Sequence, residues 1–240
     1  YLSTLSCFKL NILYFYIFKL NTMAKKKNST NTDLISYYME YTLEHNTAPK
    51  SVYIFAKKYN FQEEIFYKYF GNFDALEQTI FKTFFDNTIT LLEKSDDYKS
   101  YESRNKLLSF YYSFFELLTA NRSYVVHALD DNKNNLTKSK PLKGLKHSFT
   151  KYVESLNISL FEIKQETLDK IQNTTLKETA WLQLLLTMKY WLKDTSPSFE
   201  KTDVFIEKSV NTSFDILNTK PIKSIIDLGK FLYKDKTFNN

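Results

Sequence analysis

Residues that make tight turns are scarce in this chain, and cysteine is almost absent. The 240 residues include 3 Gly, 4 Pro and a single cysteine, Cys7. One cysteine excludes an internal disulfide and any CxxC metal or redox motif, so nothing requires an oxidising compartment and we expect a cytoplasmic protein. Because glycine stands only at positions 71, 144 and 229, the chain contains neither a P-loop nor a GxGxxG nucleotide motif.

Signatures of enzyme chemistry are also lacking. No HExxH or GxSxG sequence occurs, and the carboxylate pairs Asp96-Asp97 and Asp130-Asp131 lie in polar stretches typical of solvated loops. His127 and Asp131 could offer two ligands to a metal, but nothing in the sequence identifies the further ligands that a closed site needs. We therefore predict that the protein is not an enzyme and has no metal site or cofactor.

Aromatic residues, by contrast, are abundant. They make up 17% of the chain, with 21 Phe, 18 Tyr and 2 Trp, and the hydrophobic fraction of 43% is ordinary for a globular protein. Apolar residues recur at three- and four-residue spacing, and no sustained alternation indicates strands. This pattern predicts an all-α protein, with three short helices and a connecting helix in front of a larger aromatic-rich bundle.

The first 22 residues differ from the rest. Met23 and the lysines that follow it have the character of a natural start, so we expect residues 1–22 to be a non-native or disordered extension. A signal peptide would have a basic region before its apolar run and a cleavage site after it, and this segment has neither. Its unbroken apolar run, Ile12 to Phe18, is too short to span a membrane.

Helix predictions follow from the apolar spacing and the turn residues. In the front part they cover Thr32–Glu44, Ser51–Tyr59, Gln62–Tyr69 and a longer segment from Asp74 to Leu91, with a turn at Asn60-Phe61. Behind them, helices are predicted over Asn105–Ala120, 122–129, Leu142–Leu156, a segment opened by a capping box of Thr175 and Glu178, a stripe of Ile206, Val210, Phe214 and Leu217, and a short stretch after Pro221.

The stretch "SVYIFAKKYNFQEEIFYKYFGNFDALEQTIF" carries a family pattern. The pattern is matched without gaps by Phe55-Ala56, the turn residue Asn60, Phe66 to Phe70 and Phe73 to Leu76. It resembles the helix-turn-helix of TetR-family transcriptional regulators. The resemblance implies a DNA-binding-like domain over residues 23–75, and a C-terminal domain over residues 76–240 that binds a small hydrophobic ligand and forms a homodimer.

The resemblance also implies which residues meet the DNA operator. They are Lys25, Lys26, Lys27, Lys50, Ser51, Gln62, Glu63, Tyr67 and Lys68, with Tyr67 contacting a phosphate. Two features depart from the family: Phe73 replaces a phosphate-binding lysine, and the recognition helix opens with Gln62-Glu63-Glu64. Residues 23–94 hold nine basic and nine acidic side chains, so this part offers little general attraction for phosphates.

Two further groups of residues are candidates in the C-terminal part. A ligand pocket between helices is predicted from Tyr111, Phe114, Phe115, Tyr124, His127, Phe149, Trp181 and Met188, with an ordinary core as the alternative. A dimer interface is predicted from Leu185, Trp191, Ile206, Val210 and Phe214. The basic stretch from Lys133 to Lys151, which contains no acidic residue, suits either a solvated surface or an anionic partner.

Two functions remain open at this point. One is a TetR-like regulator whose DNA binding is controlled by a small apolar ligand. The other keeps the fold without DNA binding and binds a lipid or isoprenoid-like molecule, at a membrane surface or beside another protein. It resembles the lipid-binding ubiquinone-biosynthesis proteins. Glu63, Glu64 and Phe73 favour the second function, and the nearly complete motif favours the first.

Overall fold

A computed structural model describes residues 28–130, 135–158 and 166–217, except for the side chains of residues 166–172. Within these ranges the regular structure is helical and contains no strand, which confirms the all-α prediction. Contacts divide the chain into two compact units, residues 1–73 and 74–240. The extension predicted over residues 1–22 and the helix predicted after Pro221 lie outside the described residues.

The described residues of the first unit form three helices: α1 (Asn31–His45), α2 (Val52–Tyr59) and α3 (Glu63–Tyr69). Ser51 caps α2, because its hydroxyl accepts a hydrogen bond from the Ile54 nitrogen at 3.2 Å. Asn60 ends α2 in the left-handed conformation, with φ 56° and ψ 45°. Asparagine tolerates this conformation better than most residues, so the predicted turn between the two short helices is confirmed.

The core of the first unit is built from aromatic rings around Phe55. The ring of Phe55 lies 5.3 Å from that of Phe61 and 6.3 Å from that of Phe66, both in edge-on orientations. Tyr38 and Tyr41 of α1 approach the same ring from a third side, at 6.2 and 6.3 Å. Edge-to-face packing stabilises aromatic pairs beyond their buried area, so this cluster fixes α1, α2 and α3 against one another.

The described residues of the second unit form helices of very different lengths. They are α4 (Phe73–Leu92, beginning at the last residue of the first unit), α5 (Asp96–Ser100), α6 (Ser103–Ala120), α7 (Arg122–Leu129), α8 (Lys143–Ser155), α9 (Glu166–Lys193) and α10 (Glu200–Leu217). Short 3₁₀ turns occupy Leu136–Lys138 and Pro197–Phe199. Asp96 and Asp97, expected in a solvated loop, instead begin the short helix α5.

One predicted helix start is wrong. Thr175 and Glu178 lie well inside α9, which begins at Glu166 and continues without interruption to Lys193. A Ser/Thr-x-x-Glu pattern caps a helix only where the chain before it is not helical. The preceding segment contains neither Pro nor Gly, so no residue type in it opposes helix formation.

Close packing of α8 against α4 depends on a residue without a side chain. A Cβ added to Gly144 would lie 2.7 Å from the backbone oxygen of Gln78. Leu145, Phe149 and Val153 form the buried face of α8. Gly144 therefore allows the first turn of α8 to approach the backbone of α4.

Candidate functional sites

The surface of α3 presents most of the residues predicted to contact DNA. Gln62 precedes the helix and is exposed, Glu63 is half-buried, and Glu64 and Lys68 are exposed. Tyr67 is 56% exposed although it is aromatic. The side chain of Gln62 makes no capping hydrogen bond to α3, so its amide is available to an outside partner. The arrangement brings Gln62, Glu63, Tyr67 and Lys68 together on one short, accessible helix.

Phe73 has a structural role in the first unit. Its ring lies 5.2 Å from that of Phe66, 5.8 Å from that of Phe55 and 5.5 Å from that of Tyr38. It therefore extends the aromatic core at the place where the resemblance implies a phosphate-binding lysine. The substitution replaces a positive surface group with a packing group, and the sequence alone did not show which way this ring would point.

The described part of the first unit carries no excess of positive charge. Residues 28–73 contain four lysines and five carboxylates. Lys58 forms an ion pair with Glu44 and lies over the ring of Tyr41. Among the described residues Lys50, Lys57 and Lys68 are in no ion pair, and each is exposed. These three lysines are the positive charges that this unit can offer to an anionic partner, together with Lys25, Lys26 and Lys27, which lie outside the described residues.

Several of the residues predicted to line a ligand pocket meet in one aromatic cluster of the second unit. The ring of Tyr111 on α6 lies 6.1 Å from that of Phe115 and 6.4 Å from that of Phe149 on α8. Phe149 in turn lies 6.4 Å from Trp181 on α9. The other predicted members, Phe114, Tyr124 and Met188, are buried, and His127 is half-buried.

Phe110 lies at the centre of this cluster and was missed by sequence reasoning. Its ring contacts those of Phe114 at 5.2 Å, Phe149 at 5.4 Å and Tyr152 at 5.1 Å. The available signal was its position four residues before Phe114, on the same face of α6. Apolar residues occur nearly all round α6, so their spacing did not single out Phe110 as a central residue.

Tyr152, which is half-buried, and Tyr111, which is buried, are not equivalent. Tyr152 donates a hydrogen bond to the backbone oxygen of Lys106 at 3.0 Å and shares another with Tyr98 at 2.9 Å. Tyr111 is fully buried, yet its hydroxyl has no hydrogen-bond partner in the described structure. Burial alone raises the pKa of Tyr111 far above its ordinary value, and no charged group contributes. Tyr111 therefore presents an unused hydroxyl among uncharged rings.

The predicted dimer-interface residues lie mostly inside the chain. Leu185, Trp191, Ile206 and Val210 are buried within the second unit, and only Phe214 is partly exposed. Any surface that α9 and α10 offer to a partner is therefore made by other side chains. The prediction was wrong because α9 is apolar nearly all round from Ala180 to Leu192, so periodicity does not show which of its faces is covered.

Other apolar residues of the same helices do face outward. Leu182, Leu186 and Tyr190 recur every four residues along α9, and they are 49%, 60% and 38% exposed. Val204 on α10 is also exposed, and its neighbour Phe205 stacks on Tyr190 with ring centres 4.6 Å apart. These residues, Leu182, Leu186, Tyr190, Val204 and Phe205, are called the α9–α10 face below.

A polar junction joins the end of α9 to the start of α10. Arg122 of α7 lies between the rings of Trp191 and Phe199, 4.4 and 4.5 Å from their centres. It donates hydrogen bonds to the backbone oxygens of Trp191 and Leu192, both at 3.2 Å. Burial lowers the pKa of Arg122, and nearby Asp194 opposes that shift. No local pattern in the sequence indicates this contact, because its partners are about 70 residues apart.

Comparison with known protein families identifies the second unit. Residues 106–232 match the tetracyclin repressor-like C-terminal domain, which is 127 of the 240 residues. The chain belongs to the TetR family. The match begins within α6 and includes α7 to α10, so it covers both the aromatic cluster and the α9–α10 face. A search of curated proteins found no match to the chain.

Membership of the TetR family agrees with the observed helices. The all-α architecture is TetR-like, and the family is one of regulatory proteins. The part of the chain that the structure describes holds no group of three or more His, Cys, Asp or Glu side chains that could bind a metal. His127 belongs to this part, and Asp131, its suggested partner, lies outside it. No helix in the described ranges is long and apolar enough to cross a membrane.

The basic stretch of this TetR-family chain is partly neutralised. Lys146 forms an ion pair with Glu178 at 2.8 Å, and Lys140 lies 3.7 Å from Asp74. Lys143 and Lys151 are exposed and in no ion pair with the described residues. The stretch thus combines paired and solvated lysines, and Lys133 lies outside the description.

Proposed function

We propose that this protein is a cytoplasmic, homodimeric TetR-family regulator that binds an operator through its first unit and a small apolar ligand through its second. The observation that carries the proposal is the accessible helix α3, which follows the left-handed turn at Asn60 in a compact three-helix unit. A helix held in this way suits the major groove, where its first residues read base edges while neighbouring groups fix phosphates.

Individual side chains of α3 fit distinct roles at DNA. Gln62 has a free amide that can pair with adenine, and the carboxylate of Glu63 can accept from a cytosine amino group. Tyr67 and Lys68 are exposed on the same helix and can donate to phosphate oxygens. Ser51 uses its hydroxyl oxygen to accept from Ile54, which leaves its proton available to a phosphate. Lys50 is exposed next to it.

The α9–α10 face supports a homodimer. Its apolar side chains lie on two adjacent helices, and a two-fold dimer would bring identical surfaces together. Exposed apolar patches on a folded chain commonly mark sites of protein association. A dimer places two copies of α3 on one operator, so the half-sites of that operator should be related by the same two-fold symmetry.

Ligand and DNA would then act on each other through the dimer. The aromatic cluster around Phe149 is the proposed ligand site, because it brings together uncharged rings from α6, α8 and α9. If the ligand and DNA favour different states of the dimer, each weakens the binding of the other by the same factor. A ligand that weakens operator binding in this way would act as an inducer.

A charge-reversal experiment tests DNA binding by α3. Fluorescence anisotropy of the protein with DNA from upstream of its own gene is compared with that of Glu63→Lys/Glu64→Lys. If α3 meets DNA, the variant binds all sequences more tightly and depends more steeply on salt, because two repulsive groups become phosphate contacts. A control with the same charge change at two exposed carboxylates of the second unit, Glu93→Lys/Asp97→Lys, should leave affinity almost unchanged. Equal responses to both double substitutions would contradict the assignment of α3.

A second function is favoured by the charge of the first unit. Four lysines against five carboxylates, and the packing of Phe73 against Phe66 where a lysine is expected, are unusual for a surface that binds DNA. The same fold without DNA binding would serve to hold a lipid or isoprenoid-like molecule, with a membrane surface as a further partner. Denaturing mass spectrometry of the purified protein would then release a bound lipid, and failure of the wild-type protein to bind DNA would accompany it.

A further inference from the structure

The hydroxyl of Tyr111 is a buried donor for which the described residues provide no acceptor. Tyr111 lies on α6 with a fully buried side chain. Buried polar groups in folded proteins are nearly always hydrogen-bonded, because leaving one without a partner costs the free energy of its desolvation. Tyr152, on α8 of the same unit, shows the usual solution, with hydrogen bonds to Tyr98 and to the backbone of Lys106.

The surroundings of Tyr111 restrict what could accept its proton. The rings next to it are those of Phe110 at 6.0 Å, Phe115 at 6.1 Å and Phe149 at 6.4 Å, and none of them carries a polar group. Burial is the one cause that raises the pKa of Tyr111, and the described rings in contact with it carry no charge that could compensate a charged ligand. An ionic ligand would lose its hydration here without gaining a counter-charge.

We propose that Tyr111 donates a hydrogen bond to a neutral, largely apolar ligand carrying a carbonyl or ether oxygen, held among the rings of Phe110, Phe115 and Phe149. The inference rests on the proposed ligand-binding function of the second unit and specifies the chemistry of that ligand. The rings supply apolar contact, and the single hydroxyl sets orientation and selectivity, as one well-placed polar group does in an apolar site. The selected feature is therefore one oxygen acceptor on an apolar skeleton.

The test compares two probes of similar shape, 2-acetylnaphthalene and 2-isopropylnaphthalene, of which only the first has an acceptor. Each is titrated by calorimetry into the full-length wild-type protein, Tyr111→Phe and Tyr112→Phe. The last variant is a matched control, because it removes the hydroxyl of an exposed tyrosine one residue away on α6. We expect Tyr111→Phe to weaken the acetyl compound about three- to tenfold and to leave the isopropyl compound unchanged, since one neutral hydrogen bond is lost. Tyr112→Phe should change neither affinity.

Thermal unfolding of the ligand-free proteins provides a second readout. If the hydroxyl of Tyr111 has no partner in the free protein, the melting temperature of Tyr111→Phe is equal to or higher than that of the wild type. A clear decrease would show that an internal water already accepts this proton, and would overturn the proposal.

The binding results distinguish failure of the proposed ligand site from failure of the role assigned to Tyr111. If both probes bind and Tyr111→Phe binds them as the wild type does, the apolar site stands and the role of Tyr111 is wrong. If neither probe binds the wild-type protein, the proposed ligand site itself fails, and the inference about Tyr111 fails with it. Only selective loss of the acetyl compound in Tyr111→Phe, with an unreduced melting temperature, supports both.

Discussion

The carboxylate of Asp194 accepts two hydrogen bonds from Thr202, from the backbone nitrogen at 2.9 Å and from the hydroxyl at 2.6 Å. Its other oxygen accepts from the backbone nitrogen and hydroxyl of Ser196, at 2.8 and 2.7 Å. Asp194 follows α9 directly, and Thr202 lies in the first turn of α10. The side chain of Asp194 thus links the end of α9 to the start of α10, the two helices that carry the α9–α10 face.

Loss of this carboxylate should destabilise the protein. We expect Asp194→Ala to lower the free energy of unfolding by about 1–2 kcal/mol, as loss of a helix cap does. Urea denaturation followed by circular dichroism measures the effect. Asp203→Asn, on α10, is the control: burial raises the pKa of Asp203, and repulsion from Asp194, Glu116 and Glu200 raises it further, so its neutralisation should not be destabilising. Equal losses in the two variants would contradict the capping role.

The same carboxylate should make stability depend on acid. Burial raises the pKa of Asp194, but hydrogen bonds from Thr202 and Ser196 outweigh it and lower the pKa from its ordinary value of 3.8 to about 2. A lowered pKa means that the stabilisation is complete above the ordinary value and disappears as the pH falls to the lowered one. The difference in unfolding free energy between wild type and Asp194→Ala should therefore shrink between about pH 4 and about pH 2. A difference independent of pH would contradict the assignment.

Gly144 provides a test of the packing between α8 and α4. Alanine favours helices over glycine by about 1 kcal/mol, but here its Cβ would clash with the backbone oxygen of Gln78 at 2.7 Å. We expect Gly144→Ala to lower the free energy of unfolding by about 1–3 kcal/mol, in the range of overpacked sites. Gly71→Ala adds the same methyl group where no atom lies within 4 Å, and chemical denaturation should show it to be nearly neutral. A stabilised Gly144→Ala would show that the two helices can separate at no cost.

The turn before α3 predicts a contrast between two substitutions. Asn60 has φ 56°, so Asn60→Gly should be tolerated, whereas Asn60→Ala should cost about 1 kcal/mol because its Cβ is strained in that conformation. Thermal or urea unfolding distinguishes the two. Equal stability of the variants would mean that the turn can relax to another conformation.

The α9–α10 face predicts a change of oligomeric state. Leu186→Glu should convert a dimer into monomers, since it places a charge in the middle of an apolar contact. Leu91→Glu is matched in exposure, at 61% against 60%, but lies on α4 outside this face. Sedimentation velocity should show a dimer for wild type and Leu91→Glu and a monomer for Leu186→Glu. A Leu186→Glu dimer would exclude this face as the interface.

Local features were predictable from the sequence because their causes lie within a few residues. The Ser51 cap, the Asn60 turn and the buried face of α8 follow from side-chain type and spacing. Contacts across the chain were not predictable in this way: Tyr98 and Tyr152 are 54 residues apart. The covered face of α9 was also misjudged, because Leu182 and Leu186 are as apolar as Leu185 and only packing decides which of them is exposed. Phe73 was recognised as a departure, but its position in the core required the structure.

The most direct test of the account is DNA binding by the wild-type protein. Fluorescence anisotropy should be measured with DNA from upstream of its own gene and with a scrambled duplex of the same composition, each at low and near-physiological salt. We predict saturable binding to the upstream DNA that exceeds binding to the scrambled duplex and weakens as salt rises. Equal or absent binding to the two duplexes at low salt would contradict the regulator and leave the lipid-binding function in its place.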